Sequence, residues 1–104
     1  MMKNIQIDRE RLAAFCRRHH IRSLAFFGSV LTDDFRPDSD VDVLVEFLPD
    51  ATPTLFDLVR MQEELKGILG REVDLIEKKS IEQSRNYLRR EAILSTAEVI
   101  YAEG

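Results

Sequence analysis

A fifteen-residue stretch, from Gly28-Ser29 to Asp40-Val41-Asp42, constrains this chain more than any other part of its 104 residues. It follows one apolar run, residues 24–27, and leads directly into another, residues 43–45. Because side chains alternate between the two faces of a strand, Asp40 and Asp42 point to the same side of the second predicted strand. Aspartate is depleted in strands, so two on one face of an apolar strand indicate a ligand site.

The Gly28-Ser29 pair is a candidate phosphate-binding turn that precedes these acids in sequence. A glycine turn leaves backbone N–H groups accessible, and the Ser29 hydroxyl is a further group that can hold phosphate oxygens. Together with Asp40 and Asp42, the pair predicts a site for a metal-bound nucleotide. The alternative is an acidic loop, residues 33–42, that runs into a strand and stays solvated, because Gly-Ser by itself is a common turn pair.

Hydrophobic periodicity and turn residues predict a mixed order of helices and strands. The first three elements are a helix capped by Asp8 that ends near His19-His20, a strand at 23–27 and a helical turn at 30–34. Next come a strand at 40–47, a helix that is capped by Thr54 and stopped by Gly70, and a strand at 72–76. The last predicted element is a helix capped by Ser80 that runs to about Tyr101, kinked or broken near Ser84-Arg85. This order predicts an α/β (α+β) fold, a small mixed sheet flanked by helices, in one domain over residues 1–104.

Composition limits the functions and the cellular compartment that are expected for this chain. The formal net charge of −4 argues against a dedicated nucleic-acid binder, which would show a basic face. No apolar run has the length of a membrane span, and the N-terminus lacks a signal-peptide layout. The single cysteine, Cys16, excludes an internal disulfide and is expected to fill the core. We therefore expect a cytoplasmic protein without direct nucleic-acid or membrane partners.

The segment from Phe27-Gly28-Ser29 through Asp40-Val41-Asp42 resembles minimal nucleotidyltransferase (MNT) domains of the DNA polymerase β-like nucleotidyltransferase superfamily. A later segment, residues 71–76, is similar to the one that carries a third carboxylate in that family, here Asp74. The resemblance implies the polymerase β-like fold and two Mg²⁺ ions that bind with ATP. It implies that Asp40, Asp42 and Asp74 are the catalytic metal ligands, and that Gly28 and Ser29 hold the β- and γ-phosphates.

One segment departs from the family pattern. Where such domains commonly carry a small residue, an arginine and a glycine, this chain has Leu31-Thr32-Asp33. A basic residue near the triphosphate is lost and an acidic one gained. Arg36 is the candidate to replace that arginine as a nucleotide-binding residue.

The resemblance also implies a biological role. Stand-alone MNT proteins are similar to the antitoxins of type VII-like HEPN/MNT modules, which transfer AMP from ATP to a tyrosine of a HEPN ribonuclease toxin. We therefore expect a hetero-oligomer with such a toxin. A second hypothesis is a weakly active or inactive antitoxin that neutralises its toxin by complex formation, which the lost arginine favours. A third is adenylylation of a small molecule such as an antibiotic, for which related enzymes usually use an additional helical domain.

Overall fold

The computed structural model describes residues 7–32, 36 and 39–103, with the backbone alone at Ser29. The first half comprises helix α1 (Arg9–Arg18), strand β1 (Ile21–Phe27), a 3₁₀ helix (Gly28–Leu31) and strand β2 (Val41–Phe47). The second half comprises helix α2 (Leu55–Leu69), strand β3 (Val73–Glu77), helices α3 (Lys78–Glu82) and α4 (Tyr87–Thr96), and strand β4 (Glu98–Ala102). None of the helices in this described part is long and apolar enough to cross a membrane.

The strands form one mixed four-stranded sheet in the order β3-β2-β1-β4. Strand β1 is antiparallel to both neighbours, whereas β2 and β3 are parallel. The connection between the parallel strands runs through α2, as parallel pairing requires a crossover. The predicted fold class, a small mixed sheet flanked by helices, is therefore confirmed.

Helices α1 and α2 cover one face of the sheet and form the larger core with it. The side chains of α1 and α2 that are buried there occur at helical spacing. They are Leu12, Phe15, Cys16, Met61, Leu65 and Leu69. The apolar pattern of the sequence predicted Leu65 and Leu69 among them, but it also predicted Leu55 and Val59, which are exposed. Burial raises the pKa of the Cys16 thiol to about 12, so this cysteine stays protonated and serves as core filler.

The opposite face of the sheet carries a smaller apolar cluster beneath α3 and α4. Ala25, Phe27 and Leu44 of the sheet pack there against Ile81 of α3. Residues two apart in a strand share a face, so Asp42 lies on the same side of β2 as Leu44. The candidate acids therefore lie at one end of the face that α3 and α4 cover.

The caps predicted for α1 and α2 and the predicted helix stop are confirmed. The Asp8 carboxylate accepts a hydrogen bond from the Arg11 N–H at the start of α1. Thr54 and Asp57 form a reciprocal capping box at the start of α2. Gly70 ends α2 in the left-handed conformation, with φ of 69°.

The prediction for the C-terminal third was wrong in its second half. The break near Ser84-Arg85 exists, but α3 begins at Lys78 without a side-chain cap from Ser80. The second helix, α4, is capped by Asn86 and ends at Thr96. Residues 98–102 then form β4, which pairs with β1, instead of extending the helix to Tyr101. Pairing with β1 decides the outcome here, because the Val-Ile-Tyr run suits a strand as well as a helix.

Smaller differences concern element boundaries. Strand β1 begins at Ile21 rather than Ser23, immediately after His20, which adopts a positive φ of 55°. The short helical turn spans Gly28–Leu31 rather than residues 30–34, of which 33 and 34 lie outside the described residues. The turn therefore starts at the glycine itself.

Gly67 offers a test of the fold that is independent of the site. It lies inside α2, and a Cβ added there meets no atom within 4 Å. Glycine in a helix interior is less favourable than alanine by about 0.5–1 kcal/mol. We expect Gly67→Ala to raise the melting temperature by about 2–8 °C, measured by thermal unfolding. A lower melting temperature would contradict the placement of α2.

Candidate active site

Two of the predicted acids are neighbours across the parallel strands. Asp42 of β2 is paired with Asp74 of β3, so their side chains leave the sheet side by side. The first rung of this pairing is fixed by the hydrogen bond from the Val41 N–H to the Glu72 carbonyl, at 2.9 Å. Asp40 lies just before β2, and both Asp40 and Asp74 are exposed. This end of the sheet therefore presents three carboxylates to solvent.

Asp42 is the half-buried member of the group. Burial raises its pKa above the ordinary value of 3.8, and the negative charges of Asp74 and Asp40 raise it further. Asp74 and Asp40 are therefore close enough to Asp42 to disfavour its ionisation. A bound cation would relieve that repulsion, which is the electrostatic arrangement expected of a metal site.

Gly28 provides the space that Asp42 occupies. In the sheet, Asp42 pairs with Phe27, so Gly28 follows directly at the end of β1. Gly28 has a φ of 79°, and a Cβ there would lie 2.5 Å from Oδ2 of Asp42. Only glycine fits this position without displacing the carboxylate. The turn and the acids predicted from sequence are thus in direct contact.

A hydrogen-bonded turn leads into the acids. The Ser39 N–H donates to the Arg36 carbonyl at 3.0 Å, and the Arg36 N–H donates to the Ser39 hydroxyl at 3.0 Å. The same Arg36 carbonyl accepts a hydrogen bond from Nη1 of Arg71, at 3.2 Å. Arg71 precedes β3 by two residues and was missed by sequence reasoning. Its position three residues before the third acid was the available signal.

The structure brings some of the predicted site residues together. Others lie wholly or partly outside the described residues. Asp40, Asp42 and Asp74 lie at one edge with Gly28 among them. Ser29 belongs to the 3₁₀ helix, but its side chain lies outside the described residues, as does all of Asp33. Arg36 is exposed in the turn before Asp40. The phosphate-binding roles of Ser29 and Arg36 remain predictions.

The donor set fits magnesium. Carboxylate oxygens are the hard ligands that Mg²⁺ prefers, and Mg²⁺ is usually bound through one or two carboxylates plus substrate phosphates. Within the described ranges, no three acidic, histidine or cysteine side chains form a cluster that is ready to hold a metal ion. The carboxylates of Asp42 and Asp74, on adjacent strands, are the pair best placed to share a divalent cation with a nucleotide.

The mixed sheet, the glycine turn and the facing carboxylates together define a class, the nucleotidyltransferases. The family model for the nucleotidyltransferase domain matches residues 9–99, and the chain belongs to that family. The expected family is thereby confirmed.

Two similar proteins are named as protein adenylyltransferases, one of them putatively. The chain is 35% identical over 78 residues to a Methanocaldococcus jannaschii protein named as a putative protein adenylyltransferase, covering 75% of this chain and 82% of that protein. It is 38% identical over 64 residues to protein adenylyltransferase MntA of Thermococcus cleftensis, covering 62% of this chain and 63% of MntA. The matched part is thus less than two thirds of MntA.

Solved structures agree on the fold. The chain is similar to a structure described as a putative minimal nucleotidyltransferase, with a TM-score of 0.64 and 35% identity, covering 89% of this chain and 87% of that one. It is also similar to a toxin–antitoxin crystal structure with AMP-PNP, with a TM-score of 0.68, covering 93% of this chain and 75% of that one. At 15% identity, the second likeness shows the fold alone.

Proposed function

We propose that this chain is a magnesium-dependent protein adenylyltransferase, which transfers AMP from ATP to a tyrosine of a HEPN-domain toxin and thereby acts as its antitoxin. The observation that carries the proposal is the Asp42–Asp74 pair on adjacent parallel strands, with Gly28 against Asp42. The adenylyltransferase names of two relatives support the acceptor class, and the proposal extends their activity to this chain.

The reaction is an in-line displacement at the α-phosphorus of ATP. The tyrosine phenol oxygen forms the new P–O bond, the bond to the bridging oxygen of the β-phosphate breaks, pyrophosphate leaves, and the phenol proton passes to water. Two Mg²⁺ ions, when bound, would lower the pKa of the attacking phenol and neutralise charge on the leaving oxygens. Asp40, Asp42 and Asp74 would hold these ions. Gly28 and Ser29 would hold the β- and γ-phosphates.

The surface supports a protein acceptor. Three large apolar side chains at the start of α2 are exposed: Leu55 by 80%, Phe56 by 79% and Val59 by 59%. They stand at helix positions i, i+1 and i+4, so they form one patch rather than scattered residues. Exposed apolar patches of this kind are typical of protein–protein contact surfaces. The patch also favours the second hypothesis, in which complex formation alone neutralises the toxin.

The deciding experiment combines the chain, a HEPN toxin encoded beside it, ATP and Mg²⁺, followed by intact-mass analysis and peptide mapping. We expect the toxin mass to increase by whole AMP groups, located on tyrosine. A stable complex without added AMP would favour the binding-only antitoxin. An unmodified toxin that also fails to bind would overturn both.

Binding of magnesium should depend on the nucleotide. Because Asp40, Asp42 and Asp74 supply too few ligands for an octahedral ion, the phosphates must supply the rest. We expect calorimetry to show Mg²⁺ binding with ATP that is far tighter than Mg²⁺ binding to the protein alone. Tight binding without nucleotide would count against the assigned site.

The departure at Thr32-Asp33 gives a gain-of-function test. One charge-assisted phosphate contact contributes on the order of 1.5–3 kcal/mol, or roughly ten- to a hundredfold in affinity or rate. We expect the double change Thr32→Arg and Asp33→Gly to tighten ATP binding or raise transfer by an amount in that range, in a steady-state assay. If the double change has no effect while Arg36→Ala lowers both parameters, Arg36 already replaces the family's arginine. If neither change has an effect, the loop does not contact the nucleotide.

A further inference from the structure

Arg71 joins the two halves of the candidate site through a long-range contact. Its Nη1 donates to the Arg36 carbonyl at 3.2 Å, across 35 positions of sequence. That carbonyl also accepts the Ser39 N–H, which closes the turn immediately before Asp40. The guanidinium therefore bonds the same carbonyl as the backbone N–H of Ser39, the residue that immediately precedes Asp40.

The backbone on both sides of Arg71 is held in place by its neighbours in sequence. Gly70 ends α2 in the left-handed conformation, which redirects the chain toward the sheet edge. The Glu72 carbonyl then accepts the Val41 N–H at 2.9 Å, and β3 begins one residue later with Asp74 as its second residue. Arg71 thus extends from a backbone segment that is tied both to α2 and to the start of the β2–β3 pairing.

A guanidinium suits this position for two reasons. It is a planar, permanently charged group of N–H donors, and the Arg36 carbonyl has a second lone pair that can accept from it besides the Ser39 N–H. It also brings a positive charge to an edge that carries Asp40, Asp42 and Asp74. Neither reason requires Arg71 to touch the nucleotide.

We propose that Arg71 is a positioning residue for nucleotidyl transfer: it anchors the Arg36–Ser39 turn to the start of β3 and so fixes Asp40 relative to Asp74. The proposal rests on the proposed function for the catalytic consequence, but not for the anchoring itself. Residues that orient metal ligands from outside the ligand set commonly contribute ten- to a hundredfold in metal affinity or activity.

The first test uses the metal-free protein and no substrate. Backbone ¹⁵N relaxation is measured for Ser39, Asp40 and Val41 in the wild type, Arg71→Gln and Arg71→Lys. Arg22→Gln is the matched control, because Arg22 is exposed near the opposite end of β1 and loses the same charge. We expect the order parameters of Ser39 and Asp40 to fall toward about 0.6 in Arg71→Gln, while Val41 stays near 0.85 as rigid backbone. Unchanged order parameters at Ser39 and Asp40 would overturn the proposal.

The second test measures AMP transfer against Mg²⁺ concentration at saturating ATP. We expect Arg71→Gln to raise the half-saturating Mg²⁺ concentration roughly tenfold, with Arg71→Lys intermediate because an ammonium keeps the charge but not the planar fork. A merely structural role would lower the melting temperature and leave the Mg²⁺ dependence unchanged, which would contradict positioning. A rise in KM for ATP alone, with Lys equal to Arg, would mean that Arg71 binds phosphate instead. If the wild type transfers no AMP, the proposed function fails, and the relaxation result still decides the anchoring.

Discussion

Replacing Asp42 with Asn is expected to lower AMP transfer by on the order of a hundredfold or more while leaving the fold intact. Asn has the shape of Asp but lacks the charge with which Asp42 would hold the divalent cations of the proposed reaction. Metal ions at such sites contribute several kcal/mol of transition-state stabilisation, and each 1.36 kcal/mol is about tenfold in rate. The measurement is single-turnover transfer to the toxin at saturating Mg²⁺ and ATP. A variant that modifies the toxin at the wild-type rate would refute the enzymatic proposal.

The same substitution has an opposite effect on the stability of the metal-free protein. The pKa of Asp42 is raised by burial and by Asp74 and Asp40, so its ionised form is less favourable in the folded chain than in the unfolded chain. The wild type therefore loses stability as the pH rises through the pKa of Asp42, and Asp42→Asn does not. Near neutral pH the variant should melt at a higher temperature, and the difference should shrink as the pH falls toward about 4.

Asp50→Asn is the matched control for both measurements. Asp50 undergoes the same chemical change, but it lies beyond the other end of β2, with its side chain 70% exposed and 3.5 Å from His20. We expect wild-type transfer from this variant. Loss of transfer in Asp50→Asn would mean that the assay responds to charge in general rather than to the site.

The parts of the fold that sequence predicted are those governed by local patterns. Asp8, Thr54 and Gly70 mark helix ends because capping involves backbone groups within a few residues. The helical period predicted the burial of Leu65 and Leu69 on α2, but it did not predict that Leu55 and Val59 are exposed. Asp74 was expected on a neighbouring strand, but its role as the third carboxylate came from the family resemblance and not from a local pattern.

Long-range pairing explains what the sequence did not predict. Residues 98–102 become β4 because β1 offers them a free edge, which no local pattern reveals. The bond from Arg71 to the Arg36 carbonyl joins segments that only the β2–β3 register brings together. The close approach of Gly28 to Asp42 likewise depends on the antiparallel register of β1 and β2. Sequence therefore identified the acids and the glycine, and tertiary pairing supplied their contacts.

The close approach of Gly28 to Asp42 makes Gly28→Ala the most specific test of the site. The added Cβ would lie 2.5 Å from Oδ2 and 3.5 Å from Cγ of Asp42, so the carboxylate must rotate away. The positive φ of 79° adds roughly 1–2 kcal/mol of backbone strain for any residue with a Cβ. A shift of about 1 Å in a reacting group can cost about a hundredfold in rate. We therefore expect transfer to fall by on the order of ten- to a hundredfold, together with a lower melting temperature.

Gly70→Ala separates the effect of backbone strain from the effect of the contact with Asp42. Gly70 has nearly the same φ of 69°, but no atom lies within 4 Å of the added Cβ. It should lower the melting temperature by a similar amount, about 4–16 °C for 1–2 kcal/mol in a domain of this size. Since it leaves Asp42 in place, it should retain transfer at a temperature well below its melting point. If Gly28→Ala and Gly70→Ala lose activity equally, backbone strain explains the loss without the contact between Gly28 and the Asp42 carboxylate, since at Gly70 the strain acts on Arg71 and the start of β3. If only Gly28→Ala loses it, the glycine is required because it leaves room for Asp42.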